Sequence, residues 1–263
     1  MTELLVRRAG AVVTLTINRP DVYNALHTAL LTALADAVGA AAADPATRAV
    51  VVTGSGHKAF SAGADLKEIA AMGADRAHQV IRAGQHAFRS IERAPVPVIA
   101  AVNGLALGGG FELALAATFP VLSTNASLGL PESGLGLIPG YGGTQRLPRA
   151  VGRRVAAHLM LTGARLDPDR AYHLGLTPLP PVAPEDLLAT TAEIAERVAA
   201  QGPGAVRSIL SALDIGQDAS LQAGLAAETG MAALAIAGAE SAEGIGAFLE
   251  RRPASFPDLE ALP

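Results

Sequence analysis

Up to about residue 150 the chain alternates short β-branched runs with stretches of helical spacing, and beyond that point no strand signal returns. That asymmetry restricts the fold to α/β layers followed by a helical end. Residues 12–18 alternate apolar and polar side chains, stop at Arg19-Pro20 and predict a strand. Residues 49–53, bounded by Gly54, predict a second strand, and 96–102 and 121–124 predict two more. Asn24 is the expected cap of a helix carrying Leu26, Leu30, Leu34 and Val38 at helical spacing. Further helices are predicted over 75–93, 184–200, 204–215, 220–236 and 241–251, with residues 177–182 as a Pro-rich connector. The last two are Ala-rich, with small-residue faces suited to close packing against other helices or another subunit.

Composition narrows the chemistry. A chain of 263 residues buries roughly 75 % of its unfolded surface and folds without covalent staples. With no cysteine, disulfides, thiolate catalysis and Cys-ligated metals are excluded. The net charge of −4 lacks the basic surplus of a nucleic-acid binder. The N-terminus has no apolar signal-type segment, and no window of about 18 apolar residues occurs. The expected location is therefore cytoplasmic, with no membrane and no nucleic acid among the partners. Aromatic residues make up only 3 %, so an apolar pocket must be built mostly from Leu, Ile, Val and Ala.

Two stretches carry the chemistry. In Ala59-Phe-Ser-Ala-Gly-Ala-Asp-Leu66 and Asn103-Gly-Leu-Ala-Leu-Gly-Gly-Gly-Phe-Glu112, small residues stand where a tight loop opens into a helix. Such junctions bare backbone N–H groups to a negatively charged oxygen. Gly108-Gly-Gly110 alone equally describes a tight turn. It is not a phosphate loop, since no Gly-Lys-Ser/Thr follows, and its spacing fails a dinucleotide fingerprint. Glu112 lies in an otherwise apolar helical run, so its carboxylate is expected to be buried. Glu132, by itself, reads as a surface-loop residue. The six histidines show neither metal-ligand spacing nor a nucleophile motif, and are assigned to structure or surface. Lys58 and Lys67, the only lysines, flank the first loop, as suits a phosphate-bearing ligand.

Taken together, these motifs resemble the crotonase superfamily (enoyl-CoA hydratase/isomerase) over essentially the whole chain. The resemblance is carried by Asn18-Arg-Pro20 with Asn24-Ala-Leu26, Lys58-Ala-Phe-Ser-Ala-Gly-Ala-Asp-Leu-Lys67 and Pro97-Val-Ile-Ala-Ala-Val-Asn-Gly104. It continues through Ala106-Leu-Gly-Gly-Gly-Phe-Glu-Leu113, Pro131-Glu132, Ile138-Pro-Gly-Tyr-Gly-Gly-Thr-Gln-Arg-Leu147 and Ala247-Phe-Leu-Glu-Arg-Arg-Pro253.

The resemblance implies an α/β fold: a crotonase-like spiral of ββα units over 1–200, then a C-terminal helical trimerisation region over 201–263. It implies an acyl-CoA thioester substrate, no separate cofactor and no metal, and a homotrimer or dimer of trimers. The oxyanion hole would be the N–H groups of Ala64 and Gly109. Glu112 and Glu132 would be the catalytic pair, with Gly140 positioning water. Lys58, Ala64, Asp65, Leu66, Lys67 and Arg251 would contact substrate or CoA, Arg251 from a neighbouring subunit. Two glutamates imply hydration of a trans-2-enoyl-CoA. The alternatives are a Δ3-Δ2 isomerase, a specialised hydratase such as one for crotonobetainyl-CoA (suggested by Phe111), or a non-catalytic CoA- or RNA-binding protein. Three positions depart from the common pattern. Thr118 replaces an Asp, so a local hydrogen bond is expected to be missing. Asp21 replaces a Lys, removing a phosphate contact, and Tyr141 replaces a small residue, narrowing or polarising the acyl pocket.

Overall fold

The computed structural model describes residues 2–70 and 72–258. Its strands are β1 (Leu4–Ala9), β2 (Val12–Ile17), β3 (Ala49–Gly54), β4 (Ala59–Ser61), β5 (Val98–Val102), β6 (Leu105–Leu107), β7 (Phe119–Leu122) and β8 (Ser127–Gly129). Its helices are α1 (Thr28–Ala43), α2 (Leu66–Ala70), α3 (Ala74–Glu92), α4 (Gly109–Ala116), α5 (Gly143–Val151), α6 (Arg153–Thr162), α7 (Pro168–His173), α8 (Leu187–Ala199), α9 (Pro203–Asp218), α10 (Leu221–Ile236) and α11 (Ala239–Glu250).

Two sheets result. One runs β1-β2-β3-β5-β7, parallel except for the β1–β2 pair, and the other is a parallel β4-β6-β8 sheet. Each turn of the chain gives one strand to each sheet before a helix: β3, β4, then α2 and α3; β5, β6, then α4. This is the expected spiral of ββα units. β3 and β5 are buried along their whole length, as parallel strands covered on both faces must be. One apolar cluster lies between the sheets and under α1, α3 and α4. A second joins the outer face of the large sheet to Leu187 and Ala195 of α8.

Local predictions were corrected in three places. Asn24 does not cap α1, because Tyr23 and Asn24 take left-handed backbone and delay the helix. His27 caps it instead, its Nδ1 accepting from the Leu30 N–H at 3.2 Å. The buried Asn24 side chain accepts from the Arg19 N–H and donates to the Ser55 and Ala59 carbonyls, tying three loops together. Thr118 does not leave its hydrogen bond missing, since its hydroxyl accepts from the Val98 N–H at 3.0 Å. Finally, α5, α6 and α7 fill a region for which no helices were predicted.

α8 belongs to the packed core, whereas α9, α10 and α11 leave Leu213, Leu234, Ile236, Phe248 and Leu249 exposed. Among the described residues no single helix is long and apolar enough to cross a membrane.

Candidate active site

The first loop leaves β4 and enters α2 through Gly63, whose φ of +102° only glycine adopts without strain. A Cβ there would stand 2.7 Å from the Leu107 carbonyl oxygen and 3.2 Å from the Gly109 nitrogen. That close approach brings the Ala64 amide beside Gly109, the first residue of α4. Gly109 carries one of the N–H groups that a helix cannot pair within itself. Among the described residues neither the Ala64 nor the Gly109 N–H donates to a protein acceptor. Two adjacent free amides, one reinforced by a helix terminus, suit a carbonyl oxygen that is gaining negative charge.

Glu112 follows Gly109 by three residues, which puts it on the same face of α4. It is 1 % exposed. Its Oε1 accepts from the N–H groups of Tyr141 and Gly143 at 2.8 and 2.7 Å. Burial dominates its acidity, pushing the pKa up to about 7. The Gly143 and Tyr141 amides and the Arg146 cation oppose that rise, while the Glu132 charge adds to it. Glu132 opens a short 3-10 turn and is half-buried, not a surface-loop residue. Its Oε2 is buried without a hydrogen-bond partner among the described residues, and burial also raises its pKa.

Both carboxyls and both amides line one cavity of about 600 Å³, with walls of Leu66, Ile69, Val80, Ile81, Leu137 and Ile138. The aliphatic lining matches what the scarcity of aromatics predicted. Among the described residues Tyr141 is the one aromatic ring in that wall. It packs edge-on to Phe88 at 5.4 Å and sits between Gly84 and Gly109, where a Cβ would stand 2.2 and 3.2 Å from its ring carbons. Burial keeps its hydroxyl neutral, pushing the pKa up to about 12.

The remaining sequence candidates are distributed unevenly. Ala64, Leu66 and Gly140 line the cavity, and the Gly140 carbonyl accepts from Gln85 at 2.9 Å. Lys58 and Lys67 are exposed on either side of the first loop. Asp65 is not among the cavity-lining residues. Its carboxylate pairs with Arg19 at 3.1 Å and accepts from the Lys67 N–H, which lets it start α2. Despite partial burial, the Arg19 hydrogen bond holds that carboxyl below its ordinary range. Arg251 ends α11 in left-handed backbone, exposed and away from this chain's own cavity. Sequence reasoning missed the amide donors Tyr141 and Gly143 and the cation Arg146. The Pro-Gly-Tyr-Gly-Gly run marked the loop but not which of its N–H groups point inward.

Buried Glu112 ties pH to stability. A carboxyl whose pKa rises on folding from 4.5 to about 7 stabilises the fold fully below 4.5 and loses that contribution as pH rises through 7. The loss amounts to about 3 kcal/mol. Glu112→Gln keeps an Oε1 for both amides but does not titrate. Its melting temperature relative to wild type is expected to rise by about 5 °C or more between pH 5 and pH 8. A gap that stays constant in calorimetry across that range would contradict the raised pKa.

Stacked ββα turns that present two free amides and two carboxyls to one cavity define a crotonase-fold protein. The comparisons agree with that class. A family model described as enoyl-CoA hydratase/isomerase matches residues 7–259, and the chain belongs to that family. It is 41 % identical over 254 residues to the crotonyl-CoA hydratase of Syntrophomonas wolfei, covering 97 % of both chains. It is also 41 % identical over 257 residues to the 2,3-dehydroadipyl-CoA hydratase of Escherichia coli, covering 97 % of this chain and 99 % of that one. The crystal structure of an enoyl-CoA hydratase from Bacillus anthracis superposes with a TM-score of 0.93 at 39 % identity, covering 97 % of this chain and 99 % of that one.

Proposed function

We propose that this protein is an enoyl-CoA hydratase, adding water across the 2,3 double bond of a trans-2-enoyl-CoA to give the 3-hydroxyacyl-CoA. The observation that carries the proposal is the pair of carboxyls lining the same cavity as the two free amides. The thioester oxygen lies between the Ala64 and Gly109 N–H groups, which stabilise the enolate as charge moves onto oxygen. Glu112, ionised, takes a proton from water as its oxygen attacks the β-carbon. Glu132, in its protonated form, which burial favours, gives its proton to the α-carbon, and the proton taken up by Glu112 returns to Glu132 before the next turnover. A pKa near 7 suits Glu112 to accept a proton and release it in one cycle. Relatives named for hydration of crotonyl-CoA and 2,3-dehydroadipyl-CoA support the same reaction type.

The roles of Gly140 in placing the water and of Lys58 and Lys67 in binding the CoA phosphates belong to the same proposal. So do the division near residue 200, the cytoplasmic location and a trimer or dimer of trimers. The exposed apolar residues of α10 and α11 support subunit packing, and Arg251 would then reach a neighbour's CoA.

The test is turnover of crotonyl-CoA with product analysis by mass spectrometry. The expected product is 3-hydroxybutyryl-CoA, heavier than substrate by one water. Failure to add water, with conversion of a 3-enoyl-CoA to its 2-enoyl isomer instead, would replace hydration by isomerisation.

A further inference from the structure

Arg146 on α5 reaches back over the loop that grips Glu112. Its Nε and Nη2 donate to the two oxygens of Glu92 on α3 at 3.0 and 2.9 Å, a two-pronged pair that fixes the guanidinium plane. Its Nη1 donates to the Tyr141 carbonyl at 2.8 Å. That carbonyl lies between the two amide donors of Glu112, the N–H groups of Tyr141 and Gly143. The intervening Gly142 has φ +113°, and a Cβ there would stand 2.2 Å from Nη1, so the turn is shaped around the guanidinium. Glu92 is itself held on its other side: Arg89 donates to it at 2.8 Å and pairs with Asp214 of α9 at 2.7 Å. Both Arg146 and Glu92 are largely buried. Burial opposes the charge of Glu92, yet its bonds to Arg146 and then Arg89 hold its carboxyl below the ordinary range.

We propose that Arg146, fixed by Glu92, is a positioning residue that locks the Tyr141–Gly143 turn onto Glu112 and so fixes the placement of that carboxyl. Among the described residues the charged or titratable groups that face Glu112 are Arg146 from α5, Glu132 from its 3-10 turn and the neutral Tyr141 hydroxyl. Arg146 is the one cation among them. Removing it therefore favours protonated Glu112. The proposal rests on Glu112 being the base of the proposed hydratase, but its acidity is measurable without turnover.

Three variants test the assignment: Arg146→Met, Arg146→Lys and Glu92→Gln. Arg146→Met is expected to lower kcat by about tenfold to a hundredfold with KM changed far less, since a loosened base costs chemistry before binding. In the substrate-free protein, the carboxyl band of Glu112 (assigned by its loss in Glu112→Gln) should titrate about one pH unit higher than in wild type. Arg146→Lys keeps the charge but not the fork, so kcat falls while the titration stays within a few tenths of wild type. Glu92→Gln frees the guanidinium and lowers kcat in the same way. Wild-type kcat in Arg146→Lys and Glu92→Gln would overturn the positioning role, even if Arg146→Met failed to fold. So would a loss of melting temperature in Arg146→Met with the Glu112 titration unmoved. If wild type adds no water to any 2-enoyl-CoA, the hydratase proposal fails, and the infrared titration still decides the role of Arg146.

Discussion

Glu112→Gln and Glu132→Gln are each expected to lower kcat on crotonyl-CoA by about 10²- to 10⁴-fold. Each change removes one of the two proposed proton-transfer groups and leaves an isostere. For Glu112 the two backbone bonds to Oε1 survive in the amide, so the loop stays in place and the loss reports chemistry. The pair acts on a single event, so the double variant should fall little further than the worse single one. The pH profile follows from the same assignment. Glu112 must be ionised in the free enzyme, so kcat/KM is expected to fall about tenfold per unit as pH drops below about 7. Glu132→Gln should retain that acid limb at lower amplitude, and Glu112→Gln should lose it. Turnover near wild type in either single variant, or an acid limb near the ordinary carboxylate range, would end the two-carboxyl mechanism.

Gly109→Pro is the second large effect expected. Gly109 is the first residue of α4, where proline is tolerated because that N–H has no partner within the helix. The substitution deletes one of the two proposed oxyanion donors, with an expected loss of about 10²- to 10³-fold in kcat, or on the order of 3 kcal/mol. Gly109→Ala is the control for a substituent on Cα, without the ring carbon that proline also places on the nitrogen. Its methyl group would stand 3.2 Å from the Tyr141 ring and 3.4 Å from the Ala64 nitrogen, so it crowds the site but keeps the donor. Kinetics and circular dichroism on both variants separate the two causes. Equal losses in Gly109→Pro and Gly109→Ala would mean that crowding, not the missing N–H, accounts for the effect.

What the sequence made legible follows from how local each signal is. The strands β2, β3, β5 and β7 carry β-branched runs long enough to show their period, and each was predicted within a few residues. The strands β4, β6 and β8 have three residues each inside Gly-rich motifs, and exist because neighbouring strands pair with them. β1 went unpredicted because most of its residues are exposed on both faces, leaving no alternation to read. The helices α5, α6 and α7 lie among Gly, Pro and Arg and bury few residues each, so their spacing was faint.

In the site, burial of Glu112 was readable because its immediate neighbours are apolar. Burial of Glu132 was not, since the cavity walls that enclose it come from distant segments. The pairing of Arg146 with Glu92 spans 54 residues and joins two helices, which no local pattern encodes. The glycines at 63 and 109 were legible as a motif, but the contact between their loops belongs to the folded chain alone.

The most direct measurement is a crystal structure of the protein with the expected product, 3-hydroxybutyryl-CoA, bound. The thioester oxygen is expected about 2.7 to 3.1 Å from both the Ala64 and Gly109 nitrogens, with the Glu112 and Glu132 carboxyls facing the β- and α-carbons. A thioester oxygen bound away from those two amides, or either carboxyl turned from the acyl carbons, would contradict it.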